Sequence, residues 1–480
     1  MRTENDSLGT RELPEGVLYG IHALRAMDNF NNSSAFNLEW YKAIGTVKQA
    51  CFQTVTAFIE AALKKYPGRS LPVGCDDPAK FTLLEQTAEE IGRGMYFDQF
   101  IVPAIQGGAG TAINMNINEI LCNASLVKQG SEPGRYDLLD PFLHANIFQS
   151  TNDVVPSALK LALMRQFNLL EQQINALRNK MEQMEGQHRN NLRLSYTQMQ
   201  RAVPSSFGML FSTWSDALSR DWWRVSKCFE RIKVINLGGG ATGTALGIPR
   251  YFVMEVTNRL RQISGLPVTR SENHSDTTQN LDSLVEVHAI LKAHAVNLEK
   301  IAADLRLLAS DISGNPQMIL PGKQTGSSIM PGKINPVISE FAISAAHKVY
   351  SNDMLVSNLC GQGTLDLNAY LPTIGHAMLE SIHLLIKVNE SMLHHLLNGL
   401  EVQQQTAKEL VLKSPTLTTA LLPAIGYQKA TQMAHLMQSE NLDIFQANQK
   451  LRLLDDDLLL QLLQPERLLQ LGYSLGDLPD

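Results

Sequence analysis

Nothing in the 480-residue chain approaches about 18 uninterrupted apolar residues, so no segment is built to cross a membrane as a helix. Cysteine is scarce: Cys51, Cys75, Cys122, Cys228 and Cys360 are odd in number, scattered and never spaced C-x-x-C. That usage argues against a disulfide framework and suits a reducing cytosol. The 12 histidines contain no H-E-x-x-H pattern, which removes that zinc site. No basic block occurs, and a net charge of -6 with a pI near 6.1 argues against a nucleic-acid footprint. Residues 1–7 are polar and lack the apolar core of a signal peptide, so the expected location is cytoplasmic. Alternating β-branched runs are few, and the chain shows neither an internal repeat nor a low-complexity linker.

What the chain has in quantity is apolar side chains at helical spacing. Hydrophobic residues make up 44% and charged residues 18%, the balance of a soluble globular protein. From Leu284, the positions Val287, Leu291, Ala295, Leu298, Ile301, Leu305 and Leu308 recur at steps of three and four, which predicts one long buried helix stripe. The stretches from Ser157 to about Asn190 and from Ile374 to about Leu400 read the same way. The expected fold is mostly α, with long helices gathered in a bundle whose broad stripes bury against other subunits. At roughly 150 residues per domain the length suits three domains. The expected division is a mixed N-terminal domain over 1–151, a central long-helix bundle over 152–401 and a small helical domain over 402–480. Clusters of Gly, Asn, Ser and Pro at 106–118, 149–157, 195–208, 237–249 and 313–336 interrupt the pattern and mark the loops where chemistry belongs.

One run within those loops is the most specific. Residues 326–336 read Gly-Ser-Ser-Ile-Met-Pro-Gly-Lys-Ile-Asn-Pro. Gly326 and Gly332 give backbone freedom, while Pro331 and Pro336 block simple helix continuation, so a loop able to close over a small ligand is expected. Ser327 and Ser328 offer hydroxyls, Lys333 a point charge for a carboxylate and Asn335 a neutral amide. On composition alone, a polar surface turn with a spare lysine is the stronger reading. The run, however, resembles the signature loop of the aspartase/fumarase superfamily, G-S-S-x-M-P-x-K-x-N-P, with every fixed position present. Members of that family cleave C–N or C–O bonds to release fumarate.

Four further segments carry the same resemblance. The opening, Asp6 to Glu12 and then Tyr19 to Ala26, is similar to aspartases, with His22-Ala23 where related fumarases have Gln-Thr. Gly107-Gly108-Ala109-Gly110-Thr111 followed by Asn114-Met115-Asn116 resembles the aspartase form G-G-A-G-T-S-x-N-M-N. Gln149-Ser150-Thr151-Asn152-Asp153 matches aspartase Q-S-T-N-D, and as plain chemistry it is also an N-cap cluster ahead of a long helix, itself an anion site. Thr197-Gln198-Met199-Gln200 matches T-[HQ]-L-Q. The departures are Ser195-Tyr196 for the family's Gly-Arg, Arg201 for an Asp, Ala112 for a Ser and Gly322 for a Glu. They bear on the substrate more than on the reaction type.

The resemblance implies an ammonia-lyase that reversibly converts L-aspartate, or a close N-substituted aspartate, to fumarate, with no cofactor and no metal. It implies a homotetramer whose sites each draw segments from three subunits, and a small dicarboxylate as the substrate. Ser327 is the implied base, acting as an alkoxide from the closing loop. Lys333, Asn335, Ser328, Ser150 and Thr151 surround the carboxylate that carries the carbanion charge. Thr111, Asn152 and Gln198 hold the leaving amine, and Thr197 the other carboxylate. Fumarases place a histidine at the position of Gln198, paired with a glutamate that Glu340 matches, so that relay is absent here. The alternatives are a fumarate hydratase and a catalytically silent scaffold of the same fold.

Three features are set aside. Gly238 to Gly243 satisfies G-x-G-x-x-G, but no acidic residue follows at the dinucleotide-binding distance and the surroundings are helical. His394 and His395 sit in a helical Leu-rich stretch and read as structural or surface residues. Leu453 to Leu460 reads as a short helix with a solvated acidic face rather than a metal site.

Overall fold

The apolar stripes become helices with well-defined ends. The structure, a computed structural model, describes residues 1–312 and 314–477. The first residue of the 313–336 loop and the last three of the C-terminal segment therefore lie outside the described residues. Helix accounts for 62% of the chain, and the strands among the described residues form four two-stranded pairs. In chain order, the elements that matter below are α1 (Leu38–Lys65), α2 (Pro78–Gly92), α3 (Thr111–Lys128), α4 (Thr151–Gln187), β1 (Leu192–Thr197), β2 (Gln200–Ser206), α5 (Asp282–Leu308), α6 (Val337–Cys360) and α7 (Leu371–Ser391). Helix starts are set by side-chain caps: Asn37 Oδ1 accepts the amides of Glu39 and Trp40, and Asp77 accepts that of Ala79 with Pro78 at the first helical position. On α5 the stripe from Leu284 to Leu305 is buried within this single chain, so it does not by itself call for a partner. His394 and His395 lie on the surface, in a π-helical turn after α7.

The chain sorts into two compact units, each assembled from separated stretches: 1–171, 224–292 and 348–385 in one, and 172–223, 293–347 and 386–480 in the other. In the first unit α1 and α2 pack closely because Gly45 has no side chain; a Cβ there would lie 2.5 Å from Gly92 N and 2.8 Å from Ala88 O. The same unit holds a buried polar relay. The His288 ring places Nδ1 3.1 Å from Asp353 Oδ1 and Nε2 3.0 Å from Ser381 Oγ. Its connectivity is that of a serine nucleophile, but Ser381 Oγ donates to Ala377 O at 2.9 Å and is wholly enclosed, so the relay pins helices together.

In the second unit four helices between Gln404 and Leu462 build a core from Val411, Leu417, Leu421, Met433, Ile444 and Leu459, into which β1 inserts Leu192 and Leu194. The acidic run at 455–457 starts the last of these helices, with Asp455 capping the amide of Asp457 at 3.0 Å. No cluster of metal-ligating side chains occurs among the described residues.

Gly45→Ala is expected to lower the midpoint of thermal unfolding, by about 1–3 kcal/mol of overpacking. Gly186→Ala, near the end of α4 with nothing within 4 Å, should raise it slightly through helix propensity. Equal shifts in both variants, read by differential scanning fluorimetry, would contradict the packing of α1 on α2.

Candidate active site

The first unit contributes two neighbouring helix N-termini. α3 begins at Thr111 after Ala109 and Gly110, both in left-handed conformation at φ 57° and 91°. Such a start points free amides outward from the helix end. Gly110 lies against α4: a Cβ on it would meet Val155 Cγ1 at 3.4 Å. The Thr111 hydroxyl donates to Gly108 O at 2.9 Å, which leaves its lone pairs as acceptors. Behind this start α3 is buried, and its asparagines are anchored. Asn146 Oδ1 accepts from Asn114 at 2.9 Å and Asn118 at 3.2 Å, and the wholly buried Lys48 donates to Asn118 Oδ1 at 2.6 Å. Burial pushes the Lys48 ammonium down to about 8.

At the start of α4, Ser150 Oγ caps the amide of Asn152 at 3.2 Å. Asn152 Nδ2 donates to Ala241 O at 2.8 Å, so its Oδ1 is the atom left to accept from a ligand. Asp153 is fully buried, and its carboxylate accepts the amides of Ser150 at 2.9 Å, Gly240 at 3.0 Å and Gly238 at 3.2 Å. The G-x-G-x-x-G run therefore does have a use for its amides, and it is internal: it clasps the acidic residue of the Q-S-T-N-D segment. Asn236 completes the clasp by donating to Asn152 O at 2.8 Å.

The second unit carries the other six candidate residues. Thr197 pairs with Gln200, so Gln198 and Met199 form a two-residue hairpin turn, at φ 52° and 62°. A turn of this hand demands left-handed conformation at both central positions, which glycine and asparagine adopt with least strain. Thr197 and Gln198 are exposed at this tip. In the 326–336 loop, Gly326 N donates to Lys333 O at 2.8 Å and Asn335 Nδ2 donates to Gly326 O at 2.8 Å, closing the loop on itself. No side chain fits at Gly326, where a Cβ would sit 2.5 Å from Lys333 O. Ser327 Oγ accepts two backbone amides, Met330 N at 3.0 Å and Ile329 N at 3.2 Å. Ser328 and Lys333 are exposed, and Lys333 makes no ion pair among the described residues. Glu340 faces Arg306 at 3.6 Å.

Comparisons with known proteins identify the family. The family model described as Lyase matches residues 19–351, and that of the Fumarase C C-terminus matches residues 417–470. An aspartate ammonia-lyase of Bacillus subtilis is 35% identical over 435 residues, covering 90% of this chain and 88% of its own. One from Pseudomonas canavaninivorans is 34% identical over 474 residues, covering 98% and 97%. Among solved structures, the fumarate lyase:delta crystallin of Brucella melitensis in its cobalt-bound form aligns with a TM-score of 0.88 at 32% identity, covering 97% of this chain and 99% of that one. The class II fumarase of Schistosoma mansoni aligns at 0.84 and 25% identity, covering 97% and 98%. The chain belongs to the aspartase/fumarase superfamily.

As a lyase of that family it shows what motif reading alone had missed. Asp153, Asn236 and the 238–241 loop fix the Ser150–Asn152 segment. The available signal was the glycine run itself, whose amides had to find a partner somewhere. Burial raises the Asp153 carboxyl from an ordinary 3.8 to about 6, against the pull of its three amides. As pH falls through about 6 the folded chain takes up this proton before the unfolded chain does, so the group's contribution to stability grows toward about pH 4. In Asp153→Asn only one side-chain oxygen remains to accept amides. The variant is expected to be less thermally stable, and its deficit relative to the parent should widen between pH 6 and pH 4. A deficit independent of pH would show that the Asp153 proton is not involved.

Proposed function

We propose that this lyase eliminates ammonia from L-aspartate, or from a close N-substituted aspartate, reversibly giving fumarate, with Ser327 as the base. The observation that carries the proposal is the pair of backbone amides on Ser327 Oγ. A serine hydroxyl is far too weak an acid to serve unaided, and donors aimed at its oxygen favour the alkoxide. Lys333, with no carboxylate of its own, is available to a substrate carboxylate, as is the remaining N–H of Asn335. The polarity of the other groups fits an amine leaving group. Thr111 Oγ1 and Asn152 Oδ1 are both left as acceptors, which an ammonium can satisfy and a carboxylate cannot. Ser150 keeps its O–H for the carboxylate shell, and Thr151, Thr197, Gln198 and Ser328 complete the set. None of these steps calls for a cofactor. A hydratase is disfavoured by Gln198, and by Glu340 facing Arg306 rather than a histidine.

Ultraviolet absorbance of the conjugated product reports turnover directly. Fumarate is expected from aspartate and not from malate; the reverse result would make the protein a hydratase, and neither would favour a silent scaffold. Ser327→Ala should lower kcat by at least about 100-fold with little change in substrate affinity, because the base acts only in the transition state. Lys333→Ala should damage both terms. A Ser327→Ala enzyme that kept more than about a tenth of parental kcat would exclude the serine as base.

The proposed assembly is a cytoplasmic homotetramer. Its support is the apolar surface left on the long helices, with Val296 of α5 50% exposed and Met354 of α6 67% exposed. If subunits share sites, mixing chains inactivated by Ser327→Ala with chains inactivated by Asn152→Ala should restore activity that neither possesses. No recovery after joint refolding, or a fully active monomer by sedimentation, would overturn the shared-site assembly.

A further inference from the structure

The β1–β2 hairpin also forms one wall of a cavity of about 760 Å3 whose other walls include the last turns of α5, Ser310, Ile312, Asn315, Gln317, Leu210 and Leu410. None of the ten candidate active-site residues lines it. Arg193 does, only 7% exposed, and its guanidinium has no carboxylate partner among the described residues. Its Nε lacks any hydrogen-bond acceptor, and its guanidinium lies over the Phe207 ring at 5.9 Å. Gln317 also lines the cavity, 6% exposed: its Nε2 donates to the Tyr196 hydroxyl at 2.8 Å while Oε1 has no donor. Arg201 adds a second cation that makes no ion pair among the described residues, whereas Lys300 and Asp304 pair with each other.

Three of the departures from the family pattern, Ser195, Tyr196 and Arg201, line this cavity. Tyr196 and Arg201 stand directly opposite in the strand register. The family's arginine and aspartate at these two places would have cancelled each other. In this chain the acid is gone, and the cavity holds three cations, Arg193, Arg201 and Lys300, against the single carboxylate of Asp304. An enclosed guanidinium with no carboxylate in direct contact is expensive. A bound carboxylate removes that cost, and a hydroxyl or amine on the same molecule satisfies Gln317 Oε1.

We propose that this cavity is a binding site for a small organic polycarboxylate carrying a hydrogen-bond donor, with carboxylates on Arg193 and Arg201 and the donor on Gln317. The site is independent of the elimination chemistry assigned above. The test is isothermal titration calorimetry of the full chain with citrate and with tricarballylate, which has the same carboxylates and no hydroxyl. Citrate should bind more tightly than tricarballylate. Its dissociation constant should rise roughly tenfold or more in Arg193→Met and by a smaller factor in Arg201→Ala. It should be unchanged in Lys333→Ala, which separates this cavity from the loop site. Arg201 is exposed, so that variant tests the proposal even if Arg193→Met fails to fold. No citrate binding, binding insensitive to both arginine variants, or binding lost in Lys333→Ala would overturn the site. Equal affinity for the two acids would overturn the role of Gln317.

Discussion

The buried carboxylate of Asp153 is the constraint on which the first unit's share of the site depends. Ionised and wholly enclosed, such a group is tolerable only with donors around it. The donors are backbone amides from two separate stretches, Ser150 on one side and Gly238 and Gly240 on the other. Satisfying one residue therefore locks the start of α4 to the glycine loop. Gly238 and Gly240 sit at φ 88° and 71°, conformations that side-chain-bearing residues adopt only under strain. Once the clasp is closed, Ala241 O takes the Asn152 amide, and the rotamer that presents Asn152 Oδ1 follows. On the proposed function, a ligand-facing acceptor is thus oriented by a residue that has no need to touch the ligand.

The hairpin solves the same positioning problem by other means. Gln198 and Met199 occupy left-handed conformations that neither residue type favours, at a cost on the order of 1 kcal/mol each. The strain persists because both strands are held. Leu192 and Leu194 are sunk in the C-terminal helical core, Thr416 Oγ1 grips Ala202 O at 2.7 Å, and Ser195 bonds Val203 O at 2.6 Å beside a bulge. The C-terminal helices carry none of the candidate residues, but they supply the rigidity that keeps Thr197 and Gln198 at a fixed tip.

These two devices show where sequence reading stops. The helices were legible because apolar periodicity and caps are local: the stripe from Leu284 onward lies on α5, and the Gln149–Asp153 cluster begins α4. The loop residues were legible through their motifs. The hairpin turn was not, since Gln-Met carries none of the Asn-Gly signal that normally announces a left-handed pair. Nor was the glycine clasp, whose partner is more than 80 residues away in the chain. Both depend on tertiary contacts that override local preference. The interleaving of the two compact units has the same origin, because stretches far apart in sequence share one core.

The 326–336 loop combines a preformed interior with an unusual exterior. Its internal hydrogen bonds fix Ser327 against two amides. Yet Ile329, Met330 and Ile334 are 84%, 47% and 63% exposed, although the loop offers polar groups for a charged substrate. On the proposed mechanism the two properties belong together. Using Lys333 and the serine as an alkoxide requires dehydrating both, along with the substrate carboxylates. Covering what remains exposed of three large apolar side chains contributes on the order of 1–2 kcal/mol each, which offsets part of that dehydration. The apolar residues of the loop are then what makes a strongly basic serine attainable in a site whose substrate is itself doubly charged.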